Sequence, residues 1–195
     1  MRFPHIELKL PDWVEAILSG PDYIFDDVKE RMRLVIKLAE QNIEHRTGGP
    51  FAAAVFDKST SKLIAPGVNL VVGSDCSAAH AEIVAISIAQ KILNTYDLGA
   101  ETLPACELVT STEPCAMCLG AIPWSGIRSL VCGSRDEDAR ELGFDEGAKP
   151  SDWIEDLRSR GITVQRDVLR DEAKAVLEKY PESGGTIYNA RQGPS

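Results

Sequence analysis

Cys115 and Cys118 stand three residues apart directly behind Pro114, and well upstream His80 opens the segment His80-Ala81-Glu82. Each segment starts a stretch with helical patterning after a loop or strand. A fold that uses these side chains together must therefore bring two helix starts to one point. The spacing puts both sulfurs on one side of the first helical turn. Pro114 suits the first helical position, where its missing N–H would be unpaired anyway. A helix N-terminus also lowers thiol pKa and favours the thiolates that bind zinc. Two thiolates and one neutral imidazole are three ligands. A structural zinc site closes with four protein ligands, whereas a catalytic one keeps the fourth position for water. Glu82, two residues from His80 on the same turn, reaches that water without ligating the metal. Zn²⁺ with two thiolates carries no net charge, so its water loses a proton less readily and a carboxylate is needed to accept it.

Taken singly, these pieces are ambiguous. Cys-x-x-Cys is also the pattern of a redox pair or of half a structural finger, and a lone histidine is commonly structural. The chain has only three histidines and no second Cys-x-x-Cys to complete a four-ligand site. The two segments together point to one hydrolytic zinc ion per chain.

The rest of the composition narrows the partners. Of 195 residues, 21 are Lys or Arg and 30 are Asp or Glu, a formal charge of −9. Nucleic-acid binding rests on cationic side chains neutralising phosphates, and no Lys/Arg cluster interrupts the acidic balance. Neither a membrane nor a nucleic acid is an expected partner; a small, weakly charged molecule is. Five cysteines, an odd number, and an N-terminal stretch without a long apolar run suit the cytoplasm and argue for metal chemistry before disulfides.

Residues 1–25, with Pro4, Pro11 and Pro21 around a short amphipathic piece at 12–18, read as an N-terminal extension. Val28, Met32, Val35, Leu38, Ala39 and Ile43 then recur at helical spacing until Thr47-Gly48-Gly49-Pro50. Phe51–Phe56 reads as a strand. Leu63–Ala65 and Asn69–Val72 read as its return, interrupted at Pro66-Gly67. A helix over 79–93 with Ser77 as N-cap follows. Strand 107–111, a helix from Pro114, strand 130–132, helices around 136–142 and 152–160, strand 162–168 and helix 170–180 complete the alternation. Strands alternating with helices make an α/β protein, a three-layer α/β/α sandwich, with an antiparallel opening hairpin and parallel later strands. Residues 26–180 form one domain, and 181–195 a tail rich in Gly, Ser and Pro.

His-x-Glu followed by Pro-Cys-x-x-Cys is the pattern of the zinc nucleobase deaminases, and the chain resembles the cytidine deaminase-like superfamily from about Asp26 to Tyr180. Within it, Gly48-Gly49-Pro50-Phe51, Asn69, Cys115–Ile122, Trp124 and Gly143-Phe144-Asp145-Glu146 are similar to the bacterial guanine deaminases. The resemblance implies a five-stranded mixed sheet and a homodimer. It implies zinc on His80, Cys115 and Cys118, with Glu82 as proton shuttle. Asn69 would hydrogen-bond the base, Phe51 lie along its face and Trp124 wall the pocket. Glu146, where the family pattern usually has Asp, would be a second acid at the leaving amine. The reaction implied is guanine and water to xanthine and ammonia. The tail, hinged at Gly184-Gly185, would carry Tyr188 over the site as a lid, as such relatives do with their own or the partner's segment.

Alternatives remain at this level. A cytosine, nucleoside or tRNA-adenosine deaminase shares the zinc motif, and a non-catalytic zinc-stabilised module shares the fold. Asn69 also suits a turn beside Gly67, Phe51 and Trp124 suit a core, and Glu146 suits a surface loop. Cys76, Cys106 and Cys132 lack ligand spacing and read as small apolar residues. His5 and His45 read as structural or surface residues.

Overall fold

The computed structural model describes residues 3, 6–18 and 23–190; His5 and residues 191–195 of the tail lie outside them. Five strands, β1 Ala52–Asp57, β2 Leu63–Val68, β3 Cys106–Thr112, β4 Ser129–Ser134 and β5 Thr163–Gln165, form one sheet in the order β2-β1-β3-β4-β5. β1 runs antiparallel to β2 and β3, while β3, β4 and β5 are parallel. This is the mixed sheet expected.

Seven helices cover it among the described residues: α1 Asp12–Ile17, α2 Val28–Glu44, α3 Ala81–Ile92, α4 Ala116–Ser125, α5 Asp136–Glu141, α6 Trp153–Ser159 and α7 Arg170–Glu182. α2 and α7 pack on one face and α3, α4 and α6 on the other, so the three layers are as expected. The apolar stripe of α2 explains its placement: Met32, Val35, Leu38 and Ala39 are wholly buried. Its start is fixed by Asp27, whose carboxylate accepts the Lys29 N–H at 3.0 Å. The small side chains of Ala52, Ala53 and Ala54, all fully buried, let helices from both layers approach the interior strand β1.

Several boundaries differ from the sequence reading. β2 does not break at Pro66-Gly67 but runs through them, and Asn69–Val72 leave the sheet. β2 is an edge strand, where a proline lacks no ladder partner on its open side. Gly67 is needed for another reason: a Cβ there would stand 2.3 Å from the Ala81 carbonyl oxygen and 2.5 Å from the Ala85 nitrogen. α3 thus rests directly on the β2 backbone. α3 and α4 begin after His80 and Cys115, not at 79 and Pro114, and Ser77 is not the cap. β5 is confined to Thr163–Gln165, because Asp167 takes a left-handed φ of 63° that ends extended pairing.

The N-terminal extension packs on the α2/α7 layer through Leu8, Leu10, Trp13 and the fully buried Val14. Ile187 and Tyr188 of the tail pack on the same layer. The described parts of the N-terminal extension and of the tail therefore pack on the same side of the sheet.

Candidate active site

His80 and Cys115 are the residues immediately before α3 and α4, both with extended backbone (φ −68°, ψ 154° and φ −64°, ψ 172°). Cys118 lies one turn into α4. The cap position turns each ligand across the helix entrance, so two positive helix ends face one point. His80 Nδ1 lies 3.5 Å from Cys115 Sγ, and the ligand atoms of His80, Cys115 and Cys118 all fall within 4.8 Å of one another. Tetrahedral zinc, with bonds of about 2.05 Å to nitrogen and about 2.3 Å to sulfur, separates such a pair by about 3.6 Å. The donor set and its spacing therefore fit zinc.

The protons in this cluster are shared unequally. Hydrogen bonds from the Cys118 thiol and from His80 hold Cys115 down to about 4 against the opposing effect of burial. The same bond to Cys115 holds the Cys118 proton on, and burial adds to it. Burial disfavours the charged form of His80, but the Cys115 hydrogen bond and the Glu82 charge outweigh it and raise its affinity for a proton. A cation that displaces the shared protons finds two sulfurs and an imidazole already aimed at it.

Glu82 and Glu146 are both nearly buried, at 6% and 7% exposed. Glu82 belongs to the first turn of α3, and burial, then the charge of Cys115, raises its affinity for a proton. Glu146 sits on the loop between α5 and α6. Its carbonyl accepts the Ala116 N–H at 2.9 Å, which ties the loop to the entrance of α4. Burial, then Cys115, Glu82 and Asp136, push the Glu146 carboxyl up to about 8, with Lys149 pulling the other way.

These groups line one cavity of about 210 Å³, together with Phe51, Asn69 and Tyr188. Asn69 is 1% exposed. Its Oδ1 accepts the N–H groups of Gly49 and Val71, each at 3.3 Å, so its amide hydrogens face inward, where Nδ2 donates to the Tyr188 hydroxyl at 2.8 Å. Burial raises the Tyr188 phenol above its ordinary range. Phe51 stands edge-on to Phe144, with ring centroids 4.9 Å apart.

Trp124 is the exception among the expected pocket residues. It lies near the end of α4, 89% exposed, and does not line the cavity of its own chain. About two and a half helical turns separate it from Cys115 at the α4 entrance, which carries it out of reach.

Other residues of the site went unread in the sequence. Phe144 was only part of a matched segment, yet its ring packs against Phe51, Tyr180 and Tyr188. Glu113, 4% exposed, is paired with Lys149 at 3.3 Å and with Arg166. A charged residue between a strand of seven buried residues and Pro114 was the signal available for it. His45, read as structural or surface, stacks on Trp13; Cys106 and Cys132 are buried as expected, whereas Cys76, expected to be buried with them, is only half-buried.

A sulfur–imidazole site fit for zinc beside two buried carboxylates, on a cavity of about 210 Å³, defines a zinc hydrolase of the deaminase class. The chain matches the cytidine and deoxycytidylate deaminase zinc-binding region over residues 26–134 and belongs to that family. Among solved structures it is similar to a guanine deaminase from Nitrosomonas europaea, at 48% identity over 93% of this chain and 98% of that one, with a TM-score of 0.86. A structure solved in complex with 2,6-diaminopurine is 50% identical, covering 96% and 98% of the two chains, with a TM-score of 0.88. The guanine deaminase of Bacillus subtilis is 38% identical over 115 residues, 59% of this chain and 69% of its own length.

Proposed function

We propose that this protein hydrolyses free guanine to xanthine and ammonia with one zinc ion per chain. The observation that carries the reading is the convergence of His80, Cys115, Glu82, Glu146 and Asn69 on one cavity of about 210 Å³. That is below the roughly 300–1,000 Å³ of sites for drug-sized ligands, which favours a bare base over a nucleoside. The acidic charge of −9 favours a free base over a polynucleotide. Similarity to guanine deaminases, and to a structure holding a diaminopurine, supports the purine.

His80, Cys115 and Cys118 would hold the zinc, which when bound supplies a Lewis acid that makes water acidic enough to act as nucleophile near neutral pH. Glu82 takes a proton from the attacking water as its oxygen bonds to C2 of guanine. Glu82 then delivers that proton to the adjacent ring nitrogen, which receives the electron pair of the broken C=N bond. Glu146 gives its proton to the amine at C2; as the C–N bond breaks and ammonia leaves, the C2 hydroxyl becomes the carbonyl and passes its proton back to Glu146. Asn69 presents amide hydrogens to acceptors on the base, and Phe51 lies against its face. Tyr188 and the tail from 181 act as a lid that keeps bulk water out.

The assembly we propose is a homodimer. Trp124, Met117 and Ile92 leave an exposed apolar surface on α3 and α4, and no atom lies within 4 Å of where a Cβ on Gly120 would stand. A flat apolar helix face is what a second copy needs. No described helix is long and apolar enough to cross a membrane. Five free cysteines suit the reducing cytoplasm.

The test is ammonia release from a panel of guanine, adenine, cytosine and their nucleosides, with zinc content measured on the same preparation. Guanine turnover with one zinc per chain is the expected result. Release from cytosine or a nucleoside alone would overturn the substrate, and a zinc-loaded protein silent on the whole panel would overturn the enzyme.

A further inference from the structure

We infer that Asn42, in the last turns of α2 and behind the cavity wall, is a positioning residue for Asn69, and that α1 reaches the substrate pocket through it. The inference rests on the proposed role of Asn69 in holding the base. Asn42 is fully buried in the last turns of α2, where an amide among apolar neighbours contributes nothing to packing and little to helix propensity. Its value lies in its partners. Nδ2 donates both hydrogens, to the Gly49 carbonyl at 2.8 Å and to the Asn69 carbonyl at 2.9 Å. Oδ1 accepts from the Thr47 hydroxyl at 2.6 Å. Thr47 Oγ1 in turn accepts from Trp13 Nε1 at 3.2 Å.

The direction of this chain is forced at both ends. An indole N–H can only donate and a backbone carbonyl can only accept. Thr47 therefore receives from Trp13 and gives its single hydrogen to Asn42, where Oδ1 at 2.6 Å is far better placed than the Asn42 carbonyl at 3.4 Å, and the Asn42 amide hydrogens go to Gly49 and Asn69. Asn42 thus grips the backbone of Asn69 and of the Gly49 whose N–H, 3.3 Å away, orients the Asn69 side chain. Both contacts act on the one amide that faces the cavity.

The packing around the chain leaves no slack. A Cβ on Gly48 would stand 1.8 Å from the Asn69 carbonyl oxygen and 2.8 Å from Asn42 Nδ2. Trp13 is itself held, its ring stacked on His45 with centroids 5.2 Å apart and planes within 6°. α1 has six residues, too few to be stable alone, so the stack and the buried Val14 fix the indole from which the relay starts.

The test compares Thr47→Val, which keeps the shape and removes the hydroxyl, Thr47→Ser, which restores it, and Trp13→Phe, which keeps the stack and removes the N–H. Asn69→Ala and the Asn69→Ala/Thr47→Val pair complete the set. Steady-state kinetics on guanine, calorimetric binding of xanthine and melting temperature are measured for each. Thr47→Val is expected to raise KM and the xanthine Kd roughly three- to tenfold with kcat within about twofold. Thr47→Ser should behave as the parent and Trp13→Phe fall between. In the Asn69→Ala background, Thr47→Val should add nothing. A lower melting temperature with unchanged KM and Kd, or a full additional loss on top of Asn69→Ala, would overturn the relay. Asn69→Ala leaving KM and Kd intact would instead remove Asn69 from base binding, and the relay with it. Should the parent deaminate another base, the same comparison is read on that base.

Discussion

Asn189 and Asp145 are joined backbone to side chain: the Asp145 N–H donates to Asn189 Oδ1 at 2.9 Å, while Asn189 Nδ2 donates to the Gly143 carbonyl at 2.7 Å. One tail amide thus spans the loop that ends in Glu146, and its neighbour Tyr188 meets Asn69. The tail touches both sides of the cavity at once. Removing residues 181–195 should open the pocket and release the Glu146 loop, while the candidate zinc ligands, at the entrances of α3 and α4, keep their support. We expect kcat/KM for guanine to fall at least tenfold with zinc content unchanged. Asn189→Ala, which loses two hydrogen bonds of roughly 1 kcal/mol each, should lose less. Kinetics of the truncated protein equal to those of the parent would remove the lid from the mechanism.

In the proposed mechanism Glu82 carries the heaviest demand, since the same carboxylate accepts a proton and returns it. Glu82→Gln keeps the volume and leaves His80, Cys115 and Cys118 in place. Proton shuttling of this kind contributes about 10²–10⁴-fold, and we expect a loss at or beyond that range. Zinc measured by elemental analysis should stay at one per chain. Substantial turnover by the zinc-loaded variant would assign the proton transfer elsewhere.

Trp124 has 89% of its surface exposed at the end of an apolar helix. A buried tryptophan at the centre of an interface commonly contributes about 2 kcal/mol or more to association. Trp124→Ser should therefore shift sedimentation from twice the 21.2 kDa chain mass toward the single chain. A parent protein that already sediments as a monomer at micromolar concentration would withdraw the dimer.

How much of this was legible in the sequence follows from the range of each interaction. That His80, Cys115 and Cys118 come together beside Glu82 could be read because chemistry fixes the residue types and helix geometry fixes their spacing. The three layers could be read because the apolar steps of α2 and the buried run of β1 are local periodicities. Asn69, Phe51, Glu146 and Tyr188 were legible through resemblance, and all of them line the cavity. The Trp124 placement was not, because an apolar residue on a helix reads the same whether it faces a pocket or another molecule. Asn42, Thr47 and Trp13 were invisible for a different reason. Each is ordinary in its own segment, and the relay exists only once α1 is laid across the end of α2. β2 was misread at Pro66-Gly67 because its edge position, which makes proline harmless, is a property of the sheet.

Glu146 offers a test that needs no substrate. Its carboxyl is pushed up to about 8, first by burial and then by the nearby negative groups. In the unfolded chain an ordinary glutamate titrates near 4.3. Between those values the native protein holds a proton that the unfolded chain has released, so this group makes stability fall as pH rises through that window. Zinc would offset the Cys115 charge but not the burial, so the direction holds in the metal-loaded protein. Glu146→Gln removes the titration and keeps the shape. The melting temperature of the variant, relative to the parent, should therefore climb from pH 5 to pH 8. A constant difference across that range, or one that moves in the parent's favour, would mean that Glu146 is ionised in the folded protein at neutral pH and cannot be the acid that protonates the departing amine.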